Sequence, residues 1–174
     1  MDFLNYLAPL IETYTRRGVE CHAVLGNDDA EETHGAMKGY DSQGILHYLH
    51  DTWRALPCGL GIAGYNCVPS SQGKYYPFWE RTEKEIREDL ERICSGHDVK
   101  GTVLLAHCPP APTSLDVNRA HSHIGSTALK DFIMQHQPPL VLSGHVHESL
   151  EKTGVWVERL GNTICVNAGS NDVY

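Results

Sequence analysis

The pattern that most restricts how this chain folds is a succession of short apolar runs, each closed by a polar side chain able to ligate. Pro139 to Leu142 reads as a buried strand, Gly144 ends it, and His145 and His147 follow on alternate residues. Gly101 to Ala106 is a second such run and delivers His107 at its carboxyl end. Val19, Cys21, Ala23 and Leu25 alternate with Glu20, His22 and Val24, which predicts a strand leading into Gly26-Asn27-Asp28-Asp29. Helical stripes separate the later runs. Thr82-Glu83-Lys84-Glu85 is a capping-box pattern ahead of Ile86, Leu90 and Ile93, and a second helix begins near Ser126 with Leu129, Phe132 and Ile133 on one face. Strands alternating with helices require right-handed crossovers and a mainly parallel sheet. Ligands of such sheets gather at the carboxyl ends of the strands. Asn27, His107, His145 and His147 each follow a predicted strand and are therefore expected to share one site.

The remaining segments fit around that sheet. Phe3, Leu4, Leu7, Leu10, Ile11 and Tyr14 recur at helical spacing, with Asp2 placed to cap the helix and Gly18 to end it. Residues 30–44 are polar and carry Gly35, Gly39 and Gly44, so an irregular segment or a short helix is expected there. From Ile45 to Ala63 the apolar pieces are short and favour short antiparallel strands, and residues 64–79 form a long aromatic loop. Val155 to Leu160 and Thr163 to Val166 predict two further strands. No repeat or linker divides residues 1–174, which read as a single domain.

Composition removes several functional classes. Fourteen basic against twenty-two acidic residues give a net charge of −8, which opposes extended nucleic-acid binding. A metal-bound anion is compatible with that charge, because a bound cation outweighs it locally. No apolar run approaches the roughly 18 residues that span a bilayer. The amino terminus lacks a basic segment followed by an apolar one, so the reading is a cytoplasmic protein with no membrane partner. The six cysteines form no C-x-x-C pair and read as reduced thiols. Eleven histidines in 174 residues make a metal site worth seeking.

Gly144-His145-Val146-His147 suits a metal because alternate residues project to one side and glycine lets the backbone come close. Each motif alone has a plainer reading: Asn27 as a turn former, His107 as a hydrogen-bonded strand end, His145 and His147 as loop histidines. In order, however, Gly26-Asn27-Asp28-Asp29, a strand-end His107 and Gly144-His145-Val146-His147 resemble the calcineurin-like metallophosphoesterases, over about Val19 to Ser170. The resemblance implies an α/β sandwich of two mixed β-sheets flanked by helices. It implies hydrolysis of phosphomonoesters or phosphodiesters by a metal-bound hydroxide at a dinuclear site, with a small phosphate ester as partner. Asn27, His107 and His145 match the ligands of one metal, and His147 matches a ligand of its neighbour. Such a cation pair acidifies water and neutralises phosphoryl charge. Imidazole and oxygen donors suit manganese, iron or zinc, with manganese expected first.

The chain departs from the family at informative places. Asp28 stands where the family has a histidine that assists the leaving group, so the catalytic candidates are Asp28 and a stand-in histidine, His123 or His121. The family's Asp-x-His and Gly-Asp-x-x-Asp motifs do not occur before Gly26. Val166 to Ser170 resembles a turn that leads into another strand. The expectation is a partial domain, a piece of a longer chain or one begun at an internal methionine, whose open strand edges favour a homo-oligomer. A rival reading is a binding module that keeps the fold without catalysis. An ordinary α/β protein, its histidines scattered in space, is a third. Gly125-Ser126 opens a helix whose amino terminus is a candidate phosphate site. Tyr65, Asn66, Tyr75, Tyr76 and Trp79 either wall a pocket or pin the loop, Cys108 is expected beside the ligands, and Asp29 and Glu148 are candidates to orient the histidines.

Overall fold

The computed structural model describes residues 3–70 and 78–169. The helical spacing near the amino terminus produces α1 (Phe3–Thr15), after which Gly18 turns the chain at a φ of 79°. The expected cap, Asp2, lies outside the described residues, as do Tyr75, Tyr76 and Ser170. The strand predicted over 19–25 shrinks to β1 (His22–Ala23), which pairs in parallel with β2 (His47–Tyr48). Between them the glycine-bearing segment forms a full helix, α2 (Glu31–Ser42). Tertiary burial explains it: Met37 of α2 packs with Leu25, Leu46, Tyr48 and Trp79 in a cluster of its own.

A six-stranded mixed sheet follows. β3 (Thr52–Ala55) and β4 (Gly61–Tyr65) form the expected antiparallel pair. Two residues later β5 (Val68–Pro69) pairs in parallel with β6 (Glu80–Arg81). The chain continues through α3 (Glu83–Cys94), β7 (Thr102–Ala106), α4 (Thr127–His136), β8 (Leu140–Ser143), α5 (Ser149–Thr153), β9 (Val157–Leu160) and β10 (Thr163–Asn167). The sheet order is β3-β4-β7-β8-β10-β9, with β4, β7, β8 and β10 parallel and the two outer strands antiparallel. The mixed α/β architecture is thus present. Beside the large sheet, the described residues add only the two short parallel ladders, β1-β2 and β5-β6.

Both anticipated helix starts exist. Thr82 and Glu85 make a reciprocal capping box on α3, and the Ser126 hydroxyl accepts from the Leu129 amide on α4. Ile86 and Leu90 of α3, with Leu129 and Ile133 of α4, are fully buried against Ala63, Leu104 and Val141 of the sheet. Each such side chain contributes about 1.5–3 kcal/mol on burial. α5 has no counterpart in the sequence reading, being five residues long and ended by Gly154 at a φ of 71°. Among the described residues no helix is long and apolar enough to cross a membrane.

Pairing continues past the strand ends and fixes the loops that matter. The His107 amide donates to the Tyr65 carbonyl at 2.8 Å, and the Gly144 amide donates to the His107 carbonyl at 3.0 Å. The segments leaving β7 and β8 therefore start from one rigid edge.

Candidate metal and phosphoester site

Asn27 sits in a turn closed from within. The Gly26 amide donates to Asp29 Oδ2 at 2.8 Å, and the Asp29 amide donates to the Gly26 carbonyl at 3.2 Å. Trp79 Nε1 donates to the Asp29 carbonyl at 2.7 Å and ties the turn to β6. Gly26 is required here by space: a Cβ would stand 2.2 Å from the His107 ring. The Asn27 amide nitrogen donates to Asp28 Oδ1 at 3.0 Å, which leaves Asn27 Oδ1 facing His107 Nε2 at 2.9 Å.

His107 and His145 meet with ring centroids 5.0 Å apart and planes inclined at 63°. His145 adopts a φ of 63°, a left-handed turn of the chain directly after Gly144. His147 is more exposed but close enough to act electrostatically on both rings. Burial pushes His107 down to about 3, helped by the neighbouring His145 and His147. Burial also lowers His145, against an opposing pull from Asp28. Both rings are therefore neutral near pH 7, as ligation of a metal requires.

The donor set of Asn27, His107 and His145 suits one borderline divalent cation. Among the described residues no group of three or more His, Cys, Asp or Glu side chains is gathered to hold a metal. A cation held between the two imidazoles would therefore need the amide oxygen of Asn27 as a further ligand, and no described carboxylate joins the imidazoles to bridge a second ion.

A cavity of about 400 Å³ opens beside these residues, and Asn27, His145, His123, Ile124, Val68 and Glu80 are among the residues that line it. His123 reaches it from the loop before α4. Its Nδ1 lies 2.8 Å from Asp116 Oδ1, and Asp116 is fully buried. That carboxylate also accepts from the Thr113 amide at 2.8 Å and the Gly125 amide at 3.1 Å, so it cannot turn away from the ring. Asp28, by contrast, is exposed and engaged with Asn27. His121 is exposed at a φ of 58° and belongs to the turn.

Several sequence expectations are corrected. The amino terminus of α4 is not open to phosphate, because Glu83 already fills it, accepting from Ser126 Oγ at 2.7 Å and from the Thr127 and Ala128 amides at 3.0 and 2.8 Å. Asp29 braces the Asn27 turn and Glu148 accepts from the Arg119 amide at 3.1 Å; neither is hydrogen-bonded to a ligand histidine. Tyr65, Asn66 and Trp79 are buried anchors rather than a pocket wall, and Cys108 is a fully buried thiol that burial pushes well up. Asp116 and Glu80 were not legible, since an acidic residue reads as solvated until its burial is known.

The family model described as calcineurin-like phosphoesterase matches residues 2–149 of this chain. One solved crystal structure is 19% identical, with a TM-score of 0.66 over 95% of this chain and 65% of its own. The crystal structure of TT1561 of Thermus thermophilus is 16% identical, with a TM-score of 0.67 over 94% of this chain and 68% of its own. At such identities the likeness is one of fold, and this chain spans about two thirds of the length of either structure. No curated protein matches it.

Proposed function

Because this chain belongs to the calcineurin-like phosphoesterase family, we propose that its cleft hydrolyses phosphate esters with a divalent cation held by Asn27, His107 and His145. His147 is the residue that would ligate a second cation if one were bound. A bound cation of this kind supplies an acidified water and offsets charge on the phosphoryl oxygens. Manganese is the first ion to test, followed by iron and zinc.

The chain's own residues have separable roles. Asp28 fixes the Asn27 amide so that Oδ1, not the nitrogen, points inward. His107 and His145 are kept neutral by burial, so their lone pairs are available. His123, held through Nδ1 by Asp116, keeps Nε2 for the proton that the leaving oxygen must acquire. The observation that carries this reading is the contact of Asn27 Oδ1 with His107 Nε2 beside the cavity that Asn27, His145 and His123 line.

Turnover of p-nitrophenyl phosphate and bis(p-nitrophenyl) phosphate, with manganese and after chelation, tests it. Hydrolysis of either ester that is lost on chelation and in His107→Ala supports the reading and distinguishes phosphatase from phosphodiesterase. Among the described residues no carboxylate joins the two imidazoles, which favours one second reading, a binding module without catalysis. Manganese binding with neither ester hydrolysed would establish that instead.

A further inference from the structure

We infer that the substrate's leaving alcohol carries an ammonium group, recognised by Glu80; this rests on the phosphoesterase reading of the same cleft. Glu80 lies in β6, is 4% exposed, and borders the cavity that Asn27 and His145 border. Its Oε2 is buried with no hydrogen-bond partner. Buried carboxylate oxygens are nearly always satisfied, and an unpaired one is costly. No ion pair involves Glu80 among the described residues.

The residue is held rigidly. Val68 and Glu80 are register partners, and the Ser70 amide donates to the Arg81 carbonyl at 2.8 Å. Next to it, Trp79 is bonded to the turn that carries Asn27. The strand that carries Glu80 is thus tied through Trp79 to the turn that carries Asn27.

The chemistry of the missing partner follows by elimination. A metal ion at Glu80 would lack its other ligands, since Glu80 joins no group of ligating side chains among the described residues. A phosphate would be repelled by a carboxylate. A neutral hydroxyl would satisfy the lone pair but leave the charge uncompensated, whereas an ammonium does both. Val68, Pro69 and Ile124 give the cavity apolar lining suited to a short methylene stem. The substrate class is thus an aminoalkyl phosphate monoester. In its hydrolysis water oxygen bonds to phosphorus, the bond from phosphorus to the alkyl oxygen breaks, and that oxygen takes a proton. The products are inorganic phosphate and an amino alcohol.

The test compares O-phosphoethanolamine with propyl phosphate, its uncharged analogue, on the manganese-loaded protein. At least a tenfold higher kcat/KM for the amine ester is expected, and Glu80→Gln should shrink that preference to about twofold or less. Equal rates on the two esters, or a preference that survives Glu80→Gln, would overturn the proposal. If neither ester is hydrolysed, the nitrophenyl esters decide the phosphoesterase reading separately, and ligand-observed NMR of 2-aminoethanol with metal-free protein decides the Glu80 subsite. Binding lost in Glu80→Gln supports it; no binding, or binding unchanged by the substitution, overturns it.

Discussion

His123 Nδ1 lies 2.8 Å from Oδ1 of Asp116, a carboxylate with no solvent exposure on a ring that borders the cavity. A buried carboxylate in that position selects the ring tautomer with its proton on Nδ1. In the proposed reaction this contact would hold the ring as the proton carrier beside the cavity.

The first expectation concerns the leaving group. A general acid of this kind is worth about 10²–10⁴-fold in rate when the departing oxygen is basic. His123→Ala should therefore lower kcat on an alkyl phosphate by about 10²-fold or more and affect p-nitrophenyl phosphate far less. Equal losses on both esters would show that His123 holds structure rather than moves a proton.

Gly26 makes the second. A methyl at this position would fall 2.2 Å from the His107 ring, so Gly26→Ala must displace the ring or the turn. Overpacking of that sort costs about 1–3 kcal/mol. Urea denaturation should show the loss, and manganese affinity should fall with it. A variant with unchanged stability and affinity would contradict the packing described.

Glu83 provides the third. Its carboxylate satisfies two main-chain amides and one hydroxyl at the start of α4, uniting α3 with α4. Glu83→Ala should destabilise the fold by about 1–2 kcal/mol, as loss of a helix cap does. The measurement is the urea midpoint with and without inorganic phosphate. A midpoint unchanged by the substitution would remove the carboxylate from this role.

The fourth is a pH dependence. His34, His50 and His107 are all held below their ordinary 6.5, burial being the first cause for each. The unfolded chain therefore binds more protons than the folded one below about pH 6.5. Stability from this source is complete above that pH and is lost as pH falls through it, continuing for His107 towards about 3. His107 alone contributes a slope of up to about 1.4 kcal/mol per pH unit. Urea curves with chelator present should show lower stability at pH 5.5 than at 7.5; an unchanged or rising stability would refute the sign.

Much of this was legible in the chain because apolar runs mark buried strands directly. The run to Ala106 and the run to Leu142 became β7 and β8, adjacent and parallel, so His107 and His145 met as their strand ends required. α2 was obscured by Gly35 and Gly39, with Met37 as its buried residue; the cluster with Leu46 and Trp79 holds it as a helix. β1 fell short because, among the described residues, β2 is its pairing strand. The carboxylates of Asp116 and Glu80 were invisible for another reason. Their significance comes from being buried next to a cavity, which no periodicity encodes.

Manganese binding is the most direct test of the cation site. Isothermal titration of the metal-free protein at pH 7.5, beside His107→Ala, should give about one ion per chain for the unaltered protein and at least tenfold weaker binding for the variant. No uptake by the unaltered protein, or uptake that is indifferent to the loss of His107, would contradict the assignment of Asn27, His107 and His145 as its ligands.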